Sequence, residues 1–380
     1  MPFTVTPATT RKEMVEFVRL PFSLYRDSPM WVPPLIRDDL ETFDERRNPA
    51  FENAEGRFFI ARQDGRPVGR IAAIISHAAN QKYQTANLRF GWFECIEDYE
   101  VARALLDAAC AWGRERGLTT VTGPLGFTDL DPEGMLIEGY DKLPTIAGVY
   151  NFPYYPQFLE RYGFVKEIDY VEFLTKVPLE TGIPDKLLRL AERVKERGGL
   201  RIMEYRNKKE LIAKRGRELF LLLDEAFEEI YGAVPLSERQ VQYYVRKYLS
   251  FVDLNLIKTV ANEKGEMVGF MISIPNLSRA FQKAKGKLFP FGWWHILRAL
   301  KKSDILDFYL AGIRKTYRGQ GVDLLMTVSI TQAALKRRFV AAESNHELET
   351  NTSVQAQWKY YNPTVIKRSR IFKKVIDPLP

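Results

Sequence analysis

"KTYRGQGVDLL", Lys315 to Leu325, lies where a strand-like apolar run gives way to a helix-like one, with two glycines flanking Gln320 behind an arginine. Glycine lets the backbone adopt φ > 0 and turn successive N–H groups toward one anion. A helix N-terminus adds its dipole and unpaired first N–H groups, which favour phosphate. Arg314, Lys315 and Arg318 add positive charge, whereas Asp323 opposes it from the first turn. Strand, glycine turn and helix fit either a dinucleotide or a CoA pyrophosphate. Leu324 stands where the third glycine of G-x-G-x-x-G would fall, which disfavours a nicotinamide site.

The 380 residues allow two domains of ordinary size, and 46% apolar with 27% charged residues is a globular composition. Two cysteines, Cys95 and Cys110, make neither a disulfide framework nor a zinc site, and the three histidines are far apart, so no metal is expected. No basic-then-apolar leader and no run of membrane-spanning length is present, which predicts a cytoplasmic, reducing location. A net charge of +8 calls for an anionic partner, whether phosphorylated cofactor, membrane surface or nucleic acid.

The chain repeats itself. "RFFIARQDGRPVGRIAAIIS" (57–76) and "NLIKTVANEKGEMVGFMISIP" (255–275) each read as strand, glycine turn, strand, with Gly65, Val68 and Gly69 matching Gly265, Val268 and Gly269. A strand follows in each half, "RFGWFECI" (89–96) and "DFYLAGI" (307–313), and then a helix. Val101, Leu105, Ala108 and Trp112 share one helical face, as do Leu324, Val328, Thr331 and Leu335. β-rich runs (118–124, 338–344) and Tyr-rich segments close both halves. The seam is expected around 178–200, giving domains 1–178 and 179–380. "LETGIPDKLLRLAERVKERGG" there reads as a charged helix ended by a double glycine.

Arg318, Gly319, Gln320, Gly321 and Val322 after a fourth strand resemble the acyl-CoA pyrophosphate loop of the GNAT N-acyltransferase superfamily, with Asp323 departing from the last position. The resemblance implies an α/β (α+β) chain of two tandem GNAT units, each a mixed, mostly antiparallel sheet flanked by helices. Aligned by helical faces, "CIEDYE" (95–100) stands opposite "RGQGVD" (318–323), so Glu97, Asp98 and Glu100 would meet the phosphates. At ~4 Å such like charges repel by a few kcal/mol, so the first unit is expected to shape substrate or structure rather than hold CoA. "DSPMWVPPL" (27–35), "GPLGFTDLDPEGMLIEGYDKLP" (123–144), "YNFPYYPQFLERYGF" (150–164) and "ESNHELETN" (343–351) resemble a narrower group, the tandem-GNAT proteins similar to bacterial ceramide synthase. The implied activity is acyl transfer from acyl-CoA or acetyl-CoA, without metal, to a primary amine, with a long-chain sphingoid-type base as one acceptor.

The family's chemistry implies roles for particular residues. The thioester carbonyl would be polarised by backbone N–H of the fourth strand at Leu310, Ala311, Gly312 and Ile313, with Arg314, the glycine loop and Asn351 completing the CoA contacts. In strand alternation Glu343, Glu347, Glu349 and Asn351 share a face, with His346 opposite. Glu349 and Glu343 are the expected general bases; a solvated strand edge is the plainer reading. Tyr360 and Tyr361 stand where a tyrosine would protonate the leaving thiolate, although core packing suits one of them equally. Asn151, Tyr154 and Tyr155 are expected to line the acceptor pocket, unless they merely build an Asn-x-Pro turn.

"FQKAKGKLFPFGWWHILRALKKS" (281–303) interleaves aromatics, including Trp293 and Trp294, with lysines and arginine. It reads either as an interfacial segment on anionic membrane or as a helix packing its aromatics inward, beginning near Trp293. Membrane contact would be peripheral, on the inner face. Two competing functions stay open: an aminoacyl-tRNA-dependent transferase on the same duplicated fold, and a catalytically silent CoA- or lipid-binding protein. Nucleic acid is the disfavoured partner.

Overall fold

The computed structural model describes residues 2–376 apart from 250, 251, 353, 354, 356, 357, 359 and 360. The first elements are β1 (Phe3–Pro7), α1 (Arg11–Leu24), α2 (Ile36–Thr42), β2 (Ala54–Gln63), β3 (Arg66–Ser76), α3 (His77–Tyr83), β4 (Asn87–Cys95) and α4 (Tyr99–Arg114). There follow β5 (Thr120–Gly123), β6 (Met135–Glu138), α5 (Tyr154–Tyr162), β7 (Val165–Lys176), α6 (Asp185–Arg197), β8 (Arg201–Ile202), α7 (Lys208–Phe227) and α8 (Glu238–Leu249). Next come β9 (Ile257–Ala261), β10 (Met267–Pro275), α9 (Ser278–Ala284), α10 (Gly292–Lys302), β11 (Ile305–Ile313) and α11 (Val322–Arg337). The last are β12 (Ala341–Glu343), β13 (Glu347–Leu348) and β14 (Thr364–Val375).

These elements form two compact units, one of Met1–Val171, Ser278–Ile296 and Ile366–Pro380, the other of Glu172–Leu277 and Leu297–Val365. Where the sequence suggested a single cut near 178, the change of unit falls inside β7, and two later stretches belong with the first unit.

In unit 1 the hairpin β2–β3 carries β1 on one edge and β4 on the other, all antiparallel. β4 pairs β5 in parallel, and β5 pairs antiparallel with β14. Both faces are covered, which explains the unbroken apolar runs of the hairpin. Phe59, Ala61, Ile71 and Ala73 face α4 with Val101 and Leu105, while Phe58, Ile60, Ala72 and Ile74 face Phe17 and Val18 of α1.

Unit 2 follows the same plan. β9–β10 is the hairpin, β11 pairs antiparallel with β10, and β12 pairs in parallel with β11. The closing antiparallel partner is the end of β7, where Ala341, Ala342 and Glu343 meet Lys176, Thr175 and Leu174. Each unit is therefore a mixed, mostly antiparallel sheet with flanking helices, as expected.

The matched glycines of the repeat have a common cause. A Cβ at Gly69 would lie 2.7 Å from Leu105 and 3.2 Å from Val101, and one at Gly269 would lie 2.5 Å from Val322. Each glycine thus lets the helix after the fourth strand close onto the hairpin. The shared contact pairs Val101 with Val322, two residues from the alignment by apolar faces; Glu97 then stands at Arg318 and Asp98 at Gly319. The expected face of α11 also needs correction. Val322, Leu325, Met326, Val328, Ile330, Thr331 and Ala334 are buried, whereas Leu324 and Leu335 are only half-buried. The buried arc is wide because α6 covers the side turned from the sheet.

Overpacking at these glycines sets a first prediction. Gly69→Ala and Gly269→Ala should each cost about 1–3 kcal/mol by pushing helix from sheet. In the turn at Gly265 (φ +80°) a Cβ would find only the end of the Arg201 side chain, at 3.5 Å. Gly265→Asn should therefore stay within about 1 kcal/mol, since Asn tolerates that conformation. Denaturant unfolding of the three variants against the wild type measures the difference.

Candidate acyl-CoA site

The site starts at a fork in the sheet of unit 2. β12 runs in register with β11 over three pairs, Ile305–Ala341, Leu306–Ala342 and Asp307–Glu343. Beyond them the Ser344 N–H turns to the Phe173 carbonyl of β7 (2.8 Å), so the chain leaves β11 and follows β7. β11 continues with β10 alone, and a register shift between Ile272 and Ser273 leaves Tyr309 as the extra residue, next to Leu310. From Phe308 to Ile313 the other edge of β11 has no strand partner among the described residues. Asn345 Nδ2 reaches the Tyr309 carbonyl at 3.3 Å. Leu310 and Ile313 are half-buried and Ala311 exposed, whereas Gly312 is buried.

At the fork's root lie two carboxylates. Asp307 and Glu343 are 2% and 6% exposed, and Asn276 Nδ2 donates to both Asp307 oxygens at 3.0 and 3.1 Å.

Past Ile313, Arg314 donates its N–H to the Val268 carbonyl, and a single 3-10 turn, Lys315–Tyr317, leads to the glycines. Gly319 (φ +73°) has open space where a Cβ would be, so only its conformation demands glycine. Gly321 (φ +82°) needs glycine twice, because its Cβ would also strike Val194 of α6 at 2.7 Å. No side chain caps α11 behind Gly321. The first N–H groups of that helix, from Val322 onward, thus lie at the turn with no cap from the residue before them.

The loop's cations are occupied by the end of α7. The Lys315 N–H donates to Glu225 Oε1 (3.0 Å), and Lys315 Nζ lies 2.6 Å from Glu228. Arg318 donates to Glu229 (2.8 Å) and to the Ala226 carbonyl (3.0 Å). Arg314 Nε is 3.7 Å from Glu225. Gln320 folds back onto the Thr316 carbonyl.

The stretch 343–351 is not one strand, so the expected shared face does not form. β12 ends at Glu343, β13 is two residues long, and Glu349 sits in the turn after it. Glu349 and Asn351 use their carbonyls on Gln355, whose Nε2 donates to that of Glu349 and whose N–H donates to that of Asn351. His346 is a packing residue, its Nε2 3.0 Å from Glu172 in a buried pair.

Glu347 stands out instead. Its Oε1 accepts from the Trp358 indole at 2.7 Å, while Oε2 is buried, with the Ser344 side chain close to the carboxyl. Burial pushes its carboxyl up to about 7 from an ordinary 4.5. The Trp358 ring meets Phe308 edge-on at 4.9 Å and stacks on Phe173 at 6.4 Å, so it fills the parting between β11 and β7. Trp358 is the residue that sequence reading missed. Its contacts are long-range, and no local pattern marks it.

Tyr361 is half-buried, and its hydroxyl lies 3.1 Å from Thr331 Oγ1 of α11. Because Thr331 spends its proton on the Thr327 carbonyl, it must accept from Tyr361. Burial raises the Tyr361 phenol. Tyr360 lies outside the described residues.

In unit 1 the equivalent features are closed. Leu125 N–H bonds the Phe90 carbonyl where β4 and β5 would part, and a Cβ at Gly91 would lie 2.6 Å from the Leu125 carbonyl. Asp98 caps α4 with its own carboxylate, accepting from Glu100 N–H at 2.9 Å. Tyr154 and Tyr155 both donate to the Cys95 carbonyl, and Tyr155, fully buried, also accepts the Cys95 N–H. Asn151 spends its amide on the Leu136 N–H and carbonyl and on the Phe152 carbonyl. The structure thus gives these three residues internal bonding roles, tying down the end of β4 and the strand β6. Trp293 and Trp294 lie on the surface, 44% and 47% exposed.

No protein-family model matches the chain. It is 27% identical over 372 residues to protein YghO of Escherichia coli (strain K12), covering 96% of this chain and 94% of that protein. It is likewise 27% identical over 382 residues to bacterial ceramide synthase of Caulobacter vibrioides, covering 98% and 97%. Among solved structures, a tandem GNAT protein from the clavulanic acid biosynthesis pathway superposes with a TM-score of 0.59 at 12% identity, each chain fully covered. A GCN5-related N-acetyltransferase from Sphaerobacter thermophilus superposes at 0.53, with 99% and 96% covered. Two units built on one plan, an open fork with a glycine loop in the second, and these likenesses lead to one conclusion: the chain has a tandem GNAT fold and is similar along nearly its whole length to bacterial ceramide synthase.

Proposed function

We propose that this protein is an N-acyltransferase that moves an acyl group from acyl-CoA to a primary amine, with a long-chain lipid amine as the acceptor class. The observation that carries the reading is the open β11 edge leading into an uncapped helix N-terminus across a glycine turn. The similarity to a protein named bacterial ceramide synthase supports the lipid acceptor. Binding falls to backbone groups: the N–H groups of Gly319, Gly321, Val322 and Asp323 take the pyrophosphate, and the free β11 edge takes the amide-bearing arm of CoA. An N–H at the irregularity beside Leu310 polarises the thioester carbonyl.

Forming the amide breaks the thioester C–S bond and strips two protons from the attacking ammonium nitrogen, one of which is matched by the proton given to the leaving thiolate while the other passes through the base to solvent. Glu347 is our choice for the base, because its buried carboxyl is held by the Trp358 indole through one oxygen and is poised near neutrality. Glu349 and Glu343 remain the alternatives for this step, and Tyr361 or Tyr360 supplies the proton to sulfur. Tyr361 must first leave Thr331.

Titration with acetyl-, palmitoyl- and free CoA should raise the thermal midpoint, by about 2.7 kcal/mol of stabilisation at a hundredfold excess over Kd. Absence of a response to all three overturns the reading; a response without turnover in any amine assay leaves a silent binder. Asp323→Asn should change CoA affinity less than about fivefold, because a first-turn carboxylate chiefly complements the helix dipole. A much larger gain would mean that Asp323 opposes the phosphates.

Glu347→Gln should lower kcat/KM by about 10²- to 10⁴-fold and abolish the rise of wild-type activity toward pH 7. Stability supplies an independent check. Between its ordinary value of 4.5 and about 7, the folded protein keeps the Glu347 proton that the unfolded chain releases. Stability must then fall as pH rises across that window, by on the order of 2–3 kcal/mol, and level off above it. Denaturant unfolding from pH 4.5 to 8 should show this slope in the wild type and not in Glu347→Gln.

A further inference from the structure

We propose that unit 1 docks on an anionic lipid surface through residues 283–294. The inference is independent of the acyltransfer reading, because it requires neither CoA nor amine. Phe289 and Phe291 are 76% and 71% exposed, and with Trp293 and Trp294 they form a run of large apolar side chains facing solvent. Lys283, Lys285 and Lys287 are exposed immediately before them, and no Asp or Glu occurs from Ser278 to Ser303. The expectation of an inward-packed aromatic helix is thereby answered: Gly292 is the buried residue of α10.

The segment is built, not loose. Ser278 Oγ donates to the Pro144 carbonyl, and Gln282 Nε2 donates to the carbonyls of Pro29 and Trp31. Ile36 N–H bonds the Gly286 carbonyl, and a Cβ at Gly286 would lie 2.4 Å from Phe22. The turn 287–292 is tight enough that a Cβ at Gly292 would fall 1.9 Å from the Lys287 carbonyl oxygen. Trp293 is held as well, its N–H bonding the Leu288 carbonyl and its indole donating to the Pro290 carbonyl. A rigid frame therefore holds aromatics outward beside a cluster of lysines. Charge decides the occupant: indole and phenyl rings suit the depth of lipid headgroups, and lysines beside them suit anionic phosphates.

The test uses the full chain without substrates. Vesicles of phosphatidylcholine alone, or with part replaced by phosphatidylglycerol, are sedimented with wild type, Trp293→Ser/Trp294→Ser, Phe289→Ser/Phe291→Ser and Lys283→Gln/Lys287→Gln. The wild type should sediment with the anionic vesicles, and brominated lipid should quench its tryptophan emission. Each aromatic pair should reduce binding at least about tenfold, and each lysine removed by about fivefold. The Phe289, Phe291, Lys283 and Lys287 side chains are exposed and without a structural bond in this frame, so the thermal midpoints of those two variants should stay at the wild-type value and separate lost docking from lost fold. Failure of the wild type to bind, or unchanged binding by both aromatic variants, overturns the proposal. So does light scattering showing that the aromatics hold a dimer that the serine variants dissolve.

Discussion

Everything specific to the second unit depends on two parallel strands that stay together for three residue pairs and then part. A buried backbone N–H or carbonyl left without a partner costs about 1–3 kcal/mol, so a sheet rarely opens inside a fold without reason. Here β12 leaves because Ser344 finds its acceptor on Phe173 of β7, and the open edge of β11 is what remains. The irregularity at Tyr309 lies on that edge, Trp358 fills the mouth, and Glu347 hangs from its indole. At the far end the same strand delivers the chain into the glycine turn. The open edge, the buried Glu347 carboxyl and the glycine turn are thus all placed by one strand and the departure of its neighbour.

The first unit shows what the same construction is without that opening. Its β4 and β5 would part at the equivalent point, but Leu125 keeps bonding β4. Its helix after the fourth strand carries Asp98 at the cap, so the dipole's positive end is answered within the chain. Tyr154 and Tyr155 then spend their hydroxyls on Cys95. Burial raises the phenol of Tyr155 and the thiol of Cys95, which suits structural groups rather than reactive ones. Duplication preserved the scaffold, including the glycine that seats each helix, and left the glycine turn before the helix to one copy.

What was legible in the sequence followed from local rules. Gly69 and Gly269 announced the repeat because close helix–sheet approach tolerates nothing larger, and Gly319 and Gly321 announced the loop because of their conformation. The helix from Asp185 to Arg197 and the start of α10 at Gly292 were readable from punctuation. Less legible were features set by distant partners. Alternation placed Glu343, Glu347 and Glu349 on one face by assuming an extended chain, and the irregular stretch 344–346 and the turn at 349–350 break that assumption. The indole that selects Glu347 lies eleven residues away in sequence. Tyr154 and Tyr155 looked like pocket residues because aromatics near a turn carry no mark of burial.

The cations of the loop pose a remaining physical problem, since Lys315 and Arg318 already face Glu228 and Glu229. These pairs are largely exposed, and exposed ion pairs add little to stability. Arg318 can therefore change partners at little cost. The loop's position rests on other bonds: the Lys315 N–H to Glu225, the Arg314 N–H to Val268, and Gly321 seated on Val194. Backbone anchors hold the turn while its side chains stay exchangeable. On the proposed reading, an arriving pyrophosphate would meet preset N–H donors first, and the acidic end of α7 would be the competitor that it displaces.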